Sequence, residues 1–171
     1  MHVIKKSWLI NFWRIPVILA VAVTILDQVT KHYVVKNRLL YSSHVVVPHF
    51  FNLVHWRNTG GAWGILSGHP YLLGIISVFA LALLVFFFTL FVENHPERAI
   101  SLALVLGGTA GNFLDRIFRG NVVDFLHFYY RSFDWLPAFN VADSAISIGV
   151  ALFIFSSLYH GNKQTPTPSN S

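Results

Sequence analysis

Long hydrophobic runs alternate with polar loops along this chain. Four runs stand out, covering residues 15–34, 71–92, 99–118 and 141–159. The second run contains no charged residue and exceeds the roughly 20 residues that a helix needs to cross a bilayer. The pattern predicts an α-helical integral membrane protein with four transmembrane helices and with both chain termini on the same side of the membrane.

The first polar loop, residues 36–69, has a different pattern. From Phe51 to Trp56 the side chains alternate in character, as they do in a strand that is buried on one face. Gly60 and Gly61 follow, where the backbone can turn tightly or approach another group closely. We therefore predict a small antiparallel β-sheet that lies outside the membrane, on its surface.

Composition points to the same class of protein. Hydrophobic residues make up 54% of the 171 residues and charged residues 11%, whereas soluble domains are about one quarter charged. The net charge of +5 does not indicate a nucleic-acid partner, because no basic cluster stands apart from the hydrophobic runs. Lys5, Lys6 and Arg14 flank the first run and could contact anionic lipid headgroups. The chain has no cysteine, which excludes disulfides, thiolate nucleophiles and cysteine-bound metals.

The loops leave no room for a separate soluble domain, so residues 1–160 are predicted to form one membrane-embedded domain. Residues 161–171 are rich in Pro, Ser, Thr and Asn and predict a disordered tail. An alternative is that the first run is a secretory signal peptide, but no clear cleavage site follows it. Basic residues flank the predicted helices on both sides and leave the orientation open, although those nearest the first run weakly favour a cytoplasmic N-terminus.

Polar residues that are unusual beside a membrane are concentrated at one membrane face. When the chain is followed through the four predicted helices, each of these residues falls on the same side, whereas random placement would scatter them over both. The set comprises Asp27, Asn58, Asn112, Asp115, Arg116, Asp124, Asn140 and Asp143. Such a concentration predicts a functional site at this face.

Asp124 and Asp143 are the candidates for catalysis. A carboxylate beside a membrane span is costly to keep, so it is a functional candidate by default. Two carboxylates that meet share a proton, which leaves one of them an acid and the other a base that can activate water. Asn112 and Arg116 share one helix face, and Asn140 shares another with Asp143. Their amide and guanidinium groups can hold a carboxylate in place.

The same residues also have purely structural interpretations. The sole role of Asp27 could be to pair with the lysine four residues later. The sole role of Asp115 could be to stabilise the end of the third helix. Arg116 could extend to lipid phosphates. Asp124 could be a surface acid in a strand, and Asp143 could interact with the dipole of the fourth helix.

Other kinds of chemistry find less support in the sequence. The nine histidines form no spaced metal-binding set, so we interpret them as structural and predict neither a metal nor a cofactor. A small transporter or proton channel is an alternative function, but it would need polar residues at mid-depth in several helices. A non-enzymatic membrane scaffold is a third class, and it leaves the pair of acids unexplained.

Five short motifs together resemble lipoprotein signal peptidase (signal peptidase II), a family of bacterial membrane aspartyl peptidases. They occur in the family's order over nearly the whole chain, and the second motif departs from the family pattern at Gly61 and Trp63. The motifs are DQVTK at 27–31, NTGGAW at 58–63, GNFLDR at 111–116, VVDF at 122–125 and FNVADS at 139–144. Their number and order make the resemblance specific.

The resemblance implies a β-sheet cradle on the active-site side, cytoplasmic termini and an active site at the outer face of the bacterial inner membrane. It implies cleavage of prolipoproteins on the amino side of a diacylglyceryl-modified cysteine, without a metal, with Asp124 and Asp143 as the catalytic pair. We also expect a monomer. The residues expected to support the substrate and the pair are Asp27, Asn58, Asn112, Asp115, Arg116 and Asn140.

Overall fold

The structure is a computed structural model that describes residues 6–61, 64–93, 95–130, 133–134 and 136–161. Within these ranges the chain forms, in order, α1 Lys6–Asn37, β1 Ser43–Val47, β2 Phe51–Asn58, α2 Pro70–Phe86, α3 Phe88–Val92, α4 Pro96–Arg119, β3 Val122–Tyr130, β4 Phe133–Asp134 and α5 Val141–Gly161. The predicted disordered tail lies outside these ranges except for Gly161, which ends α5. Residues 62 and 63 of the second motif also lie outside them.

All four hydrophobic runs are helical, with two main departures from the predicted boundaries. α1 begins at Lys6, well before the predicted start at residue 15. The second run is divided at Phe87, which ends α2 and precedes α3. The short α3 then buries Phe88 and Val92 against the beginning of α4. Burial of these apolar side chains therefore holds the segment that follows α2 against α4.

Within the described residues, two helical segments are by length and composition able to cross a membrane, Trp13–Asn37 and Val141–Gly161. α2 is also apolar but has 17 residues, and α4 carries charged side chains in its first and last turns. The outward faces of the helices are apolar, since Ile18, Ile75 and Phe155 are exposed by 66%, 68% and 69%. Faces of this kind require an apolar neighbour, such as lipid. Four complete crossings stay a prediction.

The antiparallel sheet has the strand order β1-β2-β3, and the two-residue β4 pairs with the end of β3. The predicted sheet is thus confirmed, with β2 in the segment that alternates. Its third strand comes from the second loop, where the β-branched residues Val122 and Val123 favour an extended backbone. In the register of β2 and β3, Asp124 lies opposite Trp56. The sheet therefore carries one of the two candidate acids.

α4 is the central helix and packs against α1, α2 and α5. Glycines permit this close packing on two sides. A Cβ atom on Gly107 would lie 2.5 Å from the carbonyl oxygen of Ala20 in α1, and one on Gly149 of α5 would lie 2.6 Å from the carbonyl oxygen of Ser101 in α4. No larger residue fits at either position without displacing a helix, so α1, α4 and α5 form one tightly packed unit.

Candidate active site

Asp124 lies on β3 and is only 3% exposed. Both carboxylate oxygens accept hydrogen bonds from asparagine side chains, Oδ2 from Asn58 Nδ2 at 3.1 Å and Oδ1 from Asn140 Nδ2 at 2.8 Å. Burial raises the pKa of Asp124 to about 7, and the negative charge of Asp143 adds to this effect, while the two amide donors oppose it. The Asp124 carboxyl group can therefore carry a proton at neutral pH.

Asp143 lies in the first turn of α5 and forms a reciprocal pair with Asn140, the residue just before the helix. The backbone N–H of Asp143 donates to Asn140 Oδ1 at 2.9 Å, and the backbone N–H of Asn140 donates to Asp143 Oδ2 at 3.2 Å. This is a capping box, which satisfies two backbone N–H groups that a helix start leaves free. The interpretation of Asp143 as a helix-start acid is thus realised, and the same bonds fix the position of its carboxylate.

Two asparagines connect the acids. Asn140 donates to Asp124 as described, and Asn112 Nδ2 donates to Asp143 Oδ1 at 2.7 Å. The Asn140 Nδ2 atom also lies 3.4 Å from Asn112 Oδ1, which closes the chain of hydrogen bonds. Four side chains from β3, α4, α5 and the residue before α5 therefore meet in one network.

A buried lysine orients this network from behind. Lys31 of α1 is completely buried, with its Nζ atom 2.8 Å from Asp27 Oδ2 and 3.0 Å from Asp115 Oδ2. Lys31 Nζ also donates to Asn112 Oδ1 at 2.9 Å. Because an ammonium group only donates hydrogen bonds, it must face the oxygen of the Asn112 amide, and the NH₂ group of that amide is left to face Asp143.

Sequence reasoning missed this role of Lys31, because it considered the residue only as the i+4 partner of Asp27. The pairing with Asp27 is present, but the contacts with α4 come from tertiary packing. One signal could have revealed this role: Lys31 is a charged residue at the end of a hydrophobic run, and a charge buried there needs partners of opposite charge.

Asp27 and Asp115 lie behind the site rather than at its surface, since both are completely buried. Asp27 Oδ1 accepts the backbone N–H of Ala142 at 2.9 Å, which ties α1 to the first turn of α5. Asp115 Oδ2 accepts the backbone N–H of Val123 at 3.0 Å, which ties α4 to β3. These two acids therefore hold in place the elements that carry Asp143 and Asp124.

Arg116 of α4 reaches from its helix to the loop after β2. Its Nη1 donates to the carbonyl oxygen of Asn112 at 3.4 Å, and its Nη2 donates to the carbonyl oxygen of Gly60 at 3.3 Å. Its Nε is buried and has no hydrogen-bond partner among the described residues. Arg116 therefore faces the protein interior near Asp143, and extension towards lipid phosphates does not describe its position.

A cavity of about 620 Å³ is bordered by Asp143, whereas the buried Asp124 is not among its lining residues. Its lining contains polar and apolar side chains in similar numbers, but apolar atoms make up most of the exposed wall. Its walls include Asn58, Asn112, Arg116, Leu136, Ile146 and Ile148. A mostly apolar cleft with a few converging polar groups suits a ligand that presents one polar group beside an apolar chain.

These features define a helical membrane enzyme with a polar site at one end of its helices, and two solved structures share the fold. Both are described as a bacterial membrane enzyme structure by the in meso method. The structure at 2.3 Å resolution has a TM-score of 0.80 and 36% identity, and covers 91% of this chain and 94% of its own. The structure at 1.9 Å resolution has a TM-score of 0.74 and 40% identity. It covers 84% of this chain and 92% of its own.

Sequence comparison gives the family. A family model described as signal peptidase (SPase) II matches residues 19–159, which include all eight candidate site residues. The lipoprotein signal peptidase of Bacillus pumilus (strain SAFR-032) is 40% identical over 146 residues, which is 85% of this chain and 94% of that protein. The chain therefore belongs to the signal peptidase II family and is a peptidase of that type, which confirms the resemblance drawn from the motifs.

Proposed function

We propose that this protein removes the signal peptide from prolipoproteins by cutting on the amino side of a diacylglyceryl-modified cysteine. The name of the Bacillus pumilus relative supports this class of substrate. The observation that carries the chemistry is the hydrogen-bond network that links Asp124 to Asp143 through Asn140 and Asn112. It holds two carboxyl groups in unequal environments, and Asp143 borders the cavity.

In this proposal Asp143 is the base and Asp124 is the acid. Asp143 borders the cavity and takes a proton from a water molecule, whose oxygen attacks the carbonyl carbon of the scissile bond. Asp124 carries a proton at neutral pH because its pKa is raised to about 7. It gives that proton to the carbonyl oxygen while negative charge develops there.

The tetrahedral intermediate then collapses. The proton that Asp143 took from water passes to the amine nitrogen as the peptide bond breaks, and Asp124 recovers its own proton as the carbonyl group forms again. Each carboxyl group therefore returns to its starting protonation state, and the cycle needs neither a metal nor a cofactor.

The neighbouring side chains would keep the two acids in these roles. Asn112 and Asn140 orient the carboxylates, and Asn58 holds Asp124 from the end of β2. Arg116 offers a fixed fork of donors at the cavity wall, and we propose that it binds a carbonyl oxygen of the substrate backbone.

We further propose that residues 1–160 form a single monomeric domain that crosses the bacterial inner membrane four times, with cytoplasmic termini. The candidate site and the sheet would then lie at the outer face. The apolar outward faces of the helices support this arrangement. A prolipoprotein brings its own apolar helix and lipid chains to that level, so the apolar cavity walls would hold it while its scissile bond meets the acids.

The test compares a lipid-modified precursor with a variant that cannot be lipid-modified. Purified full-length protein in detergent is incubated with a diacylglyceryl-modified prolipoprotein, and separately with the same precursor carrying serine in place of the cysteine, both with a chelator present. We expect cleavage of the modified precursor alone, with mass spectrometry locating the new amino terminus at the lipid-modified cysteine. Equal cleavage of both precursors, or a cut at another bond, would contradict the proposed substrate.

A further inference from the structure

A second group of titratable side chains lies at the other end of α4 and α5. His95 immediately precedes α4, Glu97 is in its first turn, and His160 is in the last turn of α5. A helix rises about 1.5 Å per residue, so the start of α4 is roughly 24 Å from Asn112 along the helix axis. This cluster is therefore separate from the candidate active site.

The three side chains converge on one carboxylate oxygen. Glu97 Oε1 lies 3.0 Å from His160 Nε2 and 3.7 Å from His95 Nδ1, and all three ligand-type atoms lie within 4.8 Å of one another. The two imidazole rings stack with their centroids 3.8 Å apart. The side chains are neither fully buried nor fully exposed, with 22% exposure for His95, 45% for Glu97 and 28% for His160. They are thus fixed by packing and yet accessible from solvent.

We propose that His95, Glu97 and His160 bind a divalent transition-metal ion of the Zn²⁺ type. Two imidazoles and one carboxylate are ligands that zinc prefers, with bond lengths of about 2.0–2.2 Å. Tetrahedral bonds of this length place neighbouring ligand atoms about 3.3–3.5 Å apart. The separations of 3.0 and 3.7 Å at Glu97 Oε1 bracket that value. The two imidazole rings are stacked, so binding requires at least one of them to rotate until the ion lies in both ring planes.

The surroundings support the carboxylate as a ligand. Ser156 of α5 donates to Glu97 Oε1 at 2.7 Å, the kind of outer hydrogen bond that orients metal ligands. Arg98, the residue after Glu97, directs its Nη1 to Glu93 at 2.7 Å. Three protein ligands leave the fourth tetrahedral position open to water.

A bound ion would join the beginning of α4 to the end of α5, and it would touch neither candidate catalytic acid. Sequence spacing gives no sign of this cluster, because Glu97 and His160 are 63 residues apart. The interpretation of the histidines as structural did not consider this cluster.

The test is a metal titration of untagged, chelator-treated full-length protein in detergent. We expect Zn²⁺ to bind at one equivalent with micromolar or tighter affinity by calorimetry, and Co²⁺ to give the visible absorption of a tetrahedral site. His160→Gln should weaken Zn²⁺ binding at least about tenfold, because a ligand is lost. The matched control is His44→Gln, which alters an exposed histidine on β1 and should leave binding unchanged.

A second readout is thermal stability, because an ion that binds only the folded state raises the unfolding midpoint. Saturating Zn²⁺ should raise the midpoint of the wild type and of His44→Gln, but not that of His160→Gln. Millimolar Zn²⁺ binding by the wild type, or equal binding by both variants, would overturn the proposal. The peptidase assay with a chelator is independent of this result, so failure of one proposal is distinguishable from failure of the other.

Discussion

At the scale of single residues, Asn140 couples the geometry of the two acids. Its side-chain NH₂ group donates to Asp124, and its side-chain oxygen accepts the backbone N–H of Asp143. This single amide thereby fixes the position of Asp124 on β3 relative to the first turn of α5. Because both ends of the amide are occupied, its orientation is fixed, and a shift of either acid must disturb the other.

Arg116 provides a prediction at this scale. Arg116→Ala should lower kcat/KM about 10- to 100-fold, the effect of losing hydrogen bonds from a charged group, while most of the folding free energy is retained. Arg116→Lys should recover only part of the activity, since a point charge cannot copy the planar fork. The measurements are cleavage kinetics and thermal unfolding of both variants.

The matched control for Arg116 is Arg57→Ala, which removes an exposed cation from β2. Its activity should equal that of the wild type. Full activity of Arg116→Ala would leave the guanidinium with only a packing role and would remove it from the proposed site.

A pH dependence follows from the environment of Asp124. Its pKa in the folded protein is raised to about 7, so the acid form required for catalysis is lost as pH rises through this value. We expect kcat/KM to fall above about pH 7, with an apparent pKa that belongs to the coupled pair of acids. A pH profile that stays flat from pH 6 to pH 9 would contradict the assigned role.

The same shift predicts a trend in stability. The folded state holds a proton that the unfolded chain releases near pH 4, so the contribution of Asp124 to stability declines as pH rises from about 4 to about 7. Asp124→Asn removes this titration. The free energy of unfolding of the variant relative to the wild type should therefore increase over that interval, as measured by denaturant unfolding at several pH values.

At the scale of elements, Lys31 ties three helices to the site. Its ammonium group contacts two carboxylates and one amide, and one of those carboxylates binds the first turn of α5. Lys31→Met should lower the free energy of unfolding by about 3–5 kcal/mol, because the buried Asp27 carboxylate loses its lysine partner and Asp115 is left with Arg119 alone as a cation partner.

The control for this change is Lys36→Met, which removes an exposed lysine from the same helix. It should alter the free energy of unfolding by less than about 0.5 kcal/mol. If both variants unfold alike, the buried ion pairs of Lys31 do not hold the helices together.

The sequence predicted the helices and the first strands because hydrophobic runs and alternation are local signals. It also located the acids, because polar residues beside a membrane are unusual. The spacing of Asn140 and Asp143 predicted a shared helix face, but not the capping box that the same spacing allows. The division of the second run at Phe87 and the contacts of Lys31 with α4 depend on tertiary packing, which no local pattern records.

At the scale of the whole molecule, the outward faces of the helices are apolar and the polar network lies at one end. This arrangement motivates the prediction of four crossings with both termini in the cytoplasm. Reporter fusions at residue 3 and residue 168 should respond from the same, cytoplasmic side, while a reporter inserted near residue 46 should respond from the other side. Responses of the two terminal fusions from opposite sides would contradict an even number of crossings.

The central claim is that Asp124 and Asp143 act as one catalytic unit, and the most direct measurement is turnover of a lipid-modified precursor by Asp124→Asn, Asp143→Asn and the double variant. Asparagine has the same shape as aspartate, and at position 143 it keeps an oxygen that can accept the capping-box hydrogen bond. Its amide cannot donate or accept the catalytic proton. Each single variant should remain folded and lose at least about a thousandfold in kcat, and the double variant should be hardly worse, because residues that act as a unit are not additive. Near-normal turnover by either single variant, with a chelator present, would contradict the account.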